Sequence, residues 1–197
     1  MRILFTIIMT LCGSIALADS PKHVLGENSL GPWKFSEDPV VSREILKEHF
    51  PDHTIIYDVG QGDSPDFHYF EVKSVSGDVL FSVRSYSNWE DGPLEPEPDA
   101  EVPLHLLEVR SPKIADSHEI RVGDRVSDII DARGDGLAFG PRHFHVYMGD
   151  GNIYYNLVVE SESESGIQRS PEGIERAEAI EGDWKVVSIS WPGPAWD

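Results

Sequence analysis

Between residues 118 and 160 the hydrophobic positions change period once, and the change marks a helix followed by a β-hairpin. Val126, Ile129 and Ile130 fall at i, i+3 and i+4, one face of a short helix. Asp124 stands where it could cap that helix, and Gly134 where a glycine ends one. From Phe144 the apolar residues alternate with period two: Phe144, Val146 and Met148, then Ile153, Tyr155, Leu157 and Val159. Between the two runs lies Asp150-Gly151, the dipeptide that a type I′ hairpin turn favours. Centred there, the turn pairs Met148 with Ile153, Tyr147 with Tyr154, Val146 with Tyr155 and His145 with Asn156. The alternating apolar set is the core face. The other face carries His143, His145, Tyr147, Tyr154 and Asn156, followed by Val158 and Glu160.

The same reading covers the rest of the chain. Trp33-Lys34-Phe35 predicts a short strand. Asp38-Pro39 opens a helix with Pro39 at its first position; Val41, Ile45, Leu46 and His49 form its inner face, and Pro51 stops it. Thr54 to Asp58 is a strand. Phe67 to Val75 and Val79 to Tyr86 make a second hairpin around Gly77-Asp78. Leu104 to Val109 and Trp184 to Trp191 are further strands, with a weak helix near Ile174 to Ala179. Residues 88–103 hold six acidic residues and four prolines and predict a mobile connection with no strand in it. A second acidic loop runs over 161–182. The expected fold is α+β, one domain over 19–197. It has a largely antiparallel twisted sheet of about seven strands, with two or three short helices on one face.

Composition changes where this domain is expected to work. Arg2, the apolar run Ile3 to Leu17 and Ala16-Leu17-Ala18 have the form of a secretory signal peptide over 1–18, cut after Ala18. The mature chain is then expected in the periplasm or outside the cell. The one cysteine, Cys12, lies inside the signal and follows Leu11, where a lipoprotein signal wants a small residue, so no lipid anchor is expected. The full chain carries 16 basic and 35 acidic residues, net −19, and loss of Arg2 deepens that charge by one. Such a balance opposes nucleic acid and anionic lipid. It suits a cationic envelope protein as partner.

Candidate chemistry is sparse. His143 and His145 are two apart on one strand and could share a zinc ion with a third donor such as His68 or Glu160. Asp131 to Gly136 begins like a calcium loop, but Arg133 and Arg142 stand where oxygen ligands are required. No G-x-S-x-G and no phosphate-cradling glycine loop occurs, so catalysis is not expected and no cofactor is called for. Tyr147 and Tyr154 on the outward face are the stronger signal, because an exposed tyrosine pair suits a contact surface.

Three stretches carry a resemblance to a known family: Tyr69-Phe70-Glu71-Val72, Ile120 to Ile129 with its Val-Gly-Asp turn, and Asp183-Trp184-Lys185-Val186. With them the chain resembles, from about Leu25 to Trp191, domain-of-unknown-function family 1131. These are envelope lipoproteins controlled by the cell-envelope stress sigma factor. The resemblance implies a periplasmic α+β protein with no established activity. This sequence departs from the family in lacking the lipobox cysteine and the cysteines of the loop after the second helix. The function expected is therefore a non-catalytic binding module of the cell envelope working through His143, His145, Tyr147, Tyr154 and Asn156. One alternative is a metal-binding protein or metal-dependent enzyme centred on His143 and His145. Another is an inhibitor of a cationic hydrolase such as lysozyme.

Overall fold

The computed structural model describes residues 23–61, 65–88, 93–142, 145–158 and 173–192, and of Arg142 and His145 the backbone only. The N-terminal part contains β1 (Val24–Gly26), β2 (Ser29–Leu30), β3 (Trp33–Lys34), β4 (Val40–Val41), helix α1 (Arg43–His49), β5 (Thr54–Gly60), β6 (Phe67–Lys73) and β7 (Val79–Tyr86). Then come β8 (Val102–Pro103), β9 (Leu106–Val109), β10 (Ala115–Asp116), α2 (Val126–Arg133), β11 (Ala138–Arg142), β12 (His145–Asp150), β13 (Ile153–Val158), α3 (Arg176–Glu181) and β14 (Lys185–Trp191).

Eight strands form one antiparallel sheet in the order β11-β12-β13-β14-β9-β7-β6-β5. The last strand in sequence, β14, thus lies inside the sheet and joins its two halves. β10, β1, β2 and β3 make a small sheet in which β1 and β10 run parallel, and β4 pairs with β8. One face of the large sheet is apolar at every second position: Phe70, Val72, Phe81, Val83, Leu107, Val109, Val146, Met148, Tyr155, Leu157 and Ile189 are buried there. The same core takes in Leu25, Leu30 and Trp33 of the small sheet, Leu46 of α1 and Phe50 just beyond it, and Val126 and Ile129 of α2. Removal of this apolar area from water is the main drive for the fold. No helix among the described residues is long and apolar enough to cross a membrane.

The expected α+β fold of about seven strands does not hold. The chain is predominantly β, with three sheets, eight strands in the largest, and helices of seven, eight and six residues. Six strands are only two or three residues long, too short for any periodic signal. The helix expected from Asp38 begins later, because Val40 and Val41 pair with Pro103 and Val102. Ser42 caps α1 instead, its Oγ accepting the Ile45 N–H at 3.2 Å. That pairing also places β8 inside the acidic connection where no strand was expected. Helix α2 stands where its periodicity put it, with Val126 and Ile129 buried. Its start differs: the Asp124 carboxylate accepts the Arg121 N–H, while Asp128 reaches back to the N–H of Arg125.

The β12–β13 hairpin turns one residue later than Asp150-Gly151 implies. Asp150 pairs with Ile153, Gly149 with Tyr154, Met148 with Tyr155, Tyr147 with Asn156 and Val146 with Leu157. The turn residues are Gly151 and Asn152, and Gly151, at φ 56°, occupies the first central position, where a type II′ turn wants glycine. Distant residues select it. The Glu27 carboxylate accepts the Asn152 N–H at 2.9 Å, and Arg133 donates to the Ile153 carbonyl at 3.3 Å and ion-pairs with Asp150. Every described pair slips by two residues, so the described side chains keep the faces assigned to them.

Candidate functional site

The face of the large sheet turned away from the core is assembled by register. One row crosses all eight strands: Ala138, Gly149, Tyr154, Ser190, Glu108, Ser82, Glu71 and Ile56. A second row runs Gly140, Tyr147, Asn156 and Ser188. A third, toward the other end, runs Leu106, Arg84, Tyr69 and Asp58. The face is thus aromatic at the β12–β13 end, hydroxylic in the middle and charged at the β5–β6–β7 end.

At the aromatic end two rings are set by glycine. A Cβ on Gly140 would lie 2.6 Å from Tyr147 Oη and 2.8 Å from its ring, and one on Gly149 would lie 2.5 Å from the Ile153 carbonyl. Only glycine lets Tyr147 lie across β11 and lets β12 approach the turn strand so closely. The Tyr147 and Tyr154 rings stand 5.5 Å apart, tilted by 55°. Both are half-buried. Burial, with the neighbouring Tyr154, raises the Tyr147 hydroxyl above its ordinary pKa, so it stays a neutral donor at physiological pH.

Beneath these rings Asn156 is only 4% exposed. Its Nδ2 donates to Ser188 Oγ at 2.9 Å and to Ser190 Oγ at 3.3 Å, while its Oδ1 is buried with no hydrogen-bond partner among the described residues. Ser188 Oγ donates onward to Glu108 at 2.8 Å. The other Glu108 oxygen accepts from Arg110 at 2.7 Å and lies 3.8 Å from Arg84. Burial would raise the Glu108 carboxyl, but Arg110, Ser188 and Arg84 together outweigh it, and the group is held below the usual carboxylate range. Tyr69 donates to Glu71 at 2.8 Å, and Lys73 pairs with Glu71 at 3.1 Å. The Arg84 guanidinium lies over the Phe67 and Tyr69 rings, 5.4 and 5.9 Å from their centres, at the edge of a pocket of about 230 Å³.

The arrangement offers rings and hydrogen-bonding groups suited to recognition. Ser188 has a carboxylate beside it, but an ionised Glu108 with a depressed pKa is a poor base for activating a hydroxyl. The charged groups balance, with Arg84, Arg110 and Lys73 against Glu108, Glu71 and Asp58. In a chain of net charge −19 this face is close to neutral, so it would act by packing and hydrogen bonding at short range.

Of the site residues expected from sequence, the face brings Tyr147, Tyr154 and Asn156 together. Tyr147 and Tyr154 are diagonal neighbours rather than direct partners, and Asn156 is buried beneath them rather than presented outward. His143 lies outside the described residues, as do Phe144, Val159 and Glu160. His145 occupies the strand position two before Tyr147, paired with Arg142. Among the described residues no three His, Cys, Asp or Glu side chains gather as a metal-binding group. Sequence reasoning missed Ser188, Ser190 and Glu108. The alternation Ser188, Ile189, Ser190, Trp191 held a signal, since polar serines at alternate places in an apolar strand mark its outer face.

No family model and no curated protein matches this chain. Among solved structures it is similar to the crystal structure of the uncharacterised protein YfeY from Escherichia coli, with a TM-score of 0.55 and 15% sequence identity over 86% of this chain and 99% of that one. At that identity the likeness is one of fold.

Proposed function

We propose that this chain is an exported, non-catalytic binding module of the cell envelope, released from its signal peptide after Ala18 and carrying no lipid, whose outer sheet face receives a protein partner. The observation that carries the reading is the Tyr147–Tyr154 pair seated on glycines above Asn156 Oδ1. Two rigid amphipathic rings supply contact area at little entropic cost. The reading centred on zinc at His143 and His145 gains no comparable observation.

The test uses purified mature protein as bait in an envelope extract. Tyr154→Ala should change stability by no more than about 1 kcal/mol, as surface substitutions usually do. It should also remove the species that the parent protein retains. A species retained equally by the Tyr154→Ala protein would end this assignment of the face.

A further inference from the structure

The two outer edges of the large sheet are unlike. At one edge, β11 is five residues long and includes Pro141, which has no N–H to offer a neighbour, and Gly140 lies under Tyr147. At the other, β5 reads Thr54-Ile55-Ile56-Tyr57-Asp58-Val59-Gly60 with no proline and no basic residue. None of its seven residues is buried, whereas the adjacent β6 buries every second one. Ile56 is 40% exposed on it. Among the described residues no backbone group outside the β5–β6 ladder bonds to the β5 backbone; the one further acceptor is local, the Asp58 carboxylate taking the Val59 N–H at 2.8 Å. Edges of this length are normally blunted by proline, lysine or a bulge.

The connection that passes this edge is predominantly negative. The segment after Pro93 runs beside it. The Leu94 N–H meets Asp66 at 3.0 Å, the Glu97 N–H meets Tyr57 Oη at 2.9 Å, and the Pro98 carbonyl accepts the Arg43 N–H at the start of α1. Glu95, Glu97, Asp99 and Glu101 along it are exposed, as is Asp58 on β5. Asp99 has Arg43 at 4.0 Å, and the rest of the row faces solvent around a strand with unfilled hydrogen-bonding capacity. We propose that the β5 edge receives an extended, lysine- or arginine-rich segment of another protein as a ninth strand, with the backbone supplying the pairing and the acidic row supplying the preference for basic side chains. This is strand addition, in which main-chain bonds give affinity and flanking side chains give selectivity. A second copy of this chain, itself strongly acidic, meets like charge at the same edge. The inference concerns a different surface from the aromatic face and does not depend on it.

The probe is a capped peptide of about ten residues alternating lysine and threonine, carrying a fluorophore and titrated with the mature protein at low salt. The expected result is saturable binding that weakens as salt is raised, with exchange protection gained at the amides of 54–60. The same peptide N-methylated at every second backbone nitrogen keeps its charge but cannot pair as a strand, and should bind at least about ten-fold more weakly. Ile56→Lys, which puts an edge-blunting charge at an exposed position, should weaken binding by a similar factor, while Val75→Ala, in the β6–β7 turn and not on the edge strand, should not alter it. Equal binding of the methylated peptide, or no binding at low salt, would overturn the proposal. So would sedimentation of the protein alone as a dimer that Ile56→Lys separates, since the edge would then belong to a second copy.

Discussion

The β6–β7 and β12–β13 hairpins are built from similar aromatic alternation, yet they are held in opposite ways. The β6–β7 turn closes on itself. The Ser74 N–H meets the Asp78 carbonyl, the Gly77 N–H meets the Ser74 carbonyl, and Ser76 donates to the Asp78 carboxylate; among the described residues Lys113 is the one outside side chain bonded to it. Val75 at its tip is 90% exposed. The β12–β13 turn is clamped from elsewhere, by Glu27 on one side and Arg133 on the other. Arg133 also donates to Tyr155 Oη, which in turn donates to the buried Asp116 carboxylate at 2.5 Å. Burial and the Asp116 charge push the Tyr155 hydroxyl far above its ordinary pKa, so it remains a donor at any working pH. A turn held by its own residues can be placed from local sequence, whereas one held by distant residues takes the position they impose.

The largest test of this contrast lies in the clamped hairpin. Leu157, fully buried opposite Val146, should cost about 2–5 kcal/mol when replaced by Ala, read by denaturant unfolding. A loss under about 0.5 kcal/mol would put Leu157 on the outer face and break the register described above. Arg133→Ala should cost about 1–3 kcal/mol, because buried acceptors lose a donor, and should speed amide exchange at 150–153 without touching 74–78. Equal acceleration at both turns would mean that the two are held alike.

Glu108 lies on β9 between the two halves, and its replacement sharpens the comparison by pH. Its folded pKa is depressed, so the stability it contributes is fully present above the ordinary carboxylate range and is lost as pH falls through the lower folded value. Glu108→Gln should therefore lower stability near neutrality, where the ionised group contributes, and flatten the acid limb so that the two stability–pH curves converge at low pH; an unaltered acid limb would remove Glu108 from the account. The smallest effect is expected at the self-closed turn, where Val75→Ala should stay within about 0.5 kcal/mol.

The faces of the strands were legible because alternation survives a slip of two residues. The turn was not, because the residue that selects it, Glu27, is 125 positions from Asn152. Strand β11 was hidden for a similar reason. Gly140 and Pro141 read as loop residues, but on a sheet edge Pro141 needs no N–H, and Gly140 is required by a tyrosine on the next strand. Tyr147 and Tyr154 could be nominated from one hairpin. The polar row from Asn156 to Arg84 could not, since its members come from β13, β14, β9 and β7, and nothing local says that those strands are neighbours.

The position of β14 has a consequence for how the chain is made. It contributes the final described strand, yet both β13 and β9 depend on it for a partner. Trp191 also reaches back 164 residues to bond the Glu27 carbonyl at 2.6 Å. Until residues 185–191 arrive, the molecule is two half-sheets with apolar faces uncovered and open edges facing each other. Such pairings of the ends of a chain are slow to find and exposed to misassociation while they are sought. A polypeptide cut short before residue 185 would thus be an aggregation hazard rather than a weaker version of the protein, and quality control acting on it would respond to those two bare edges.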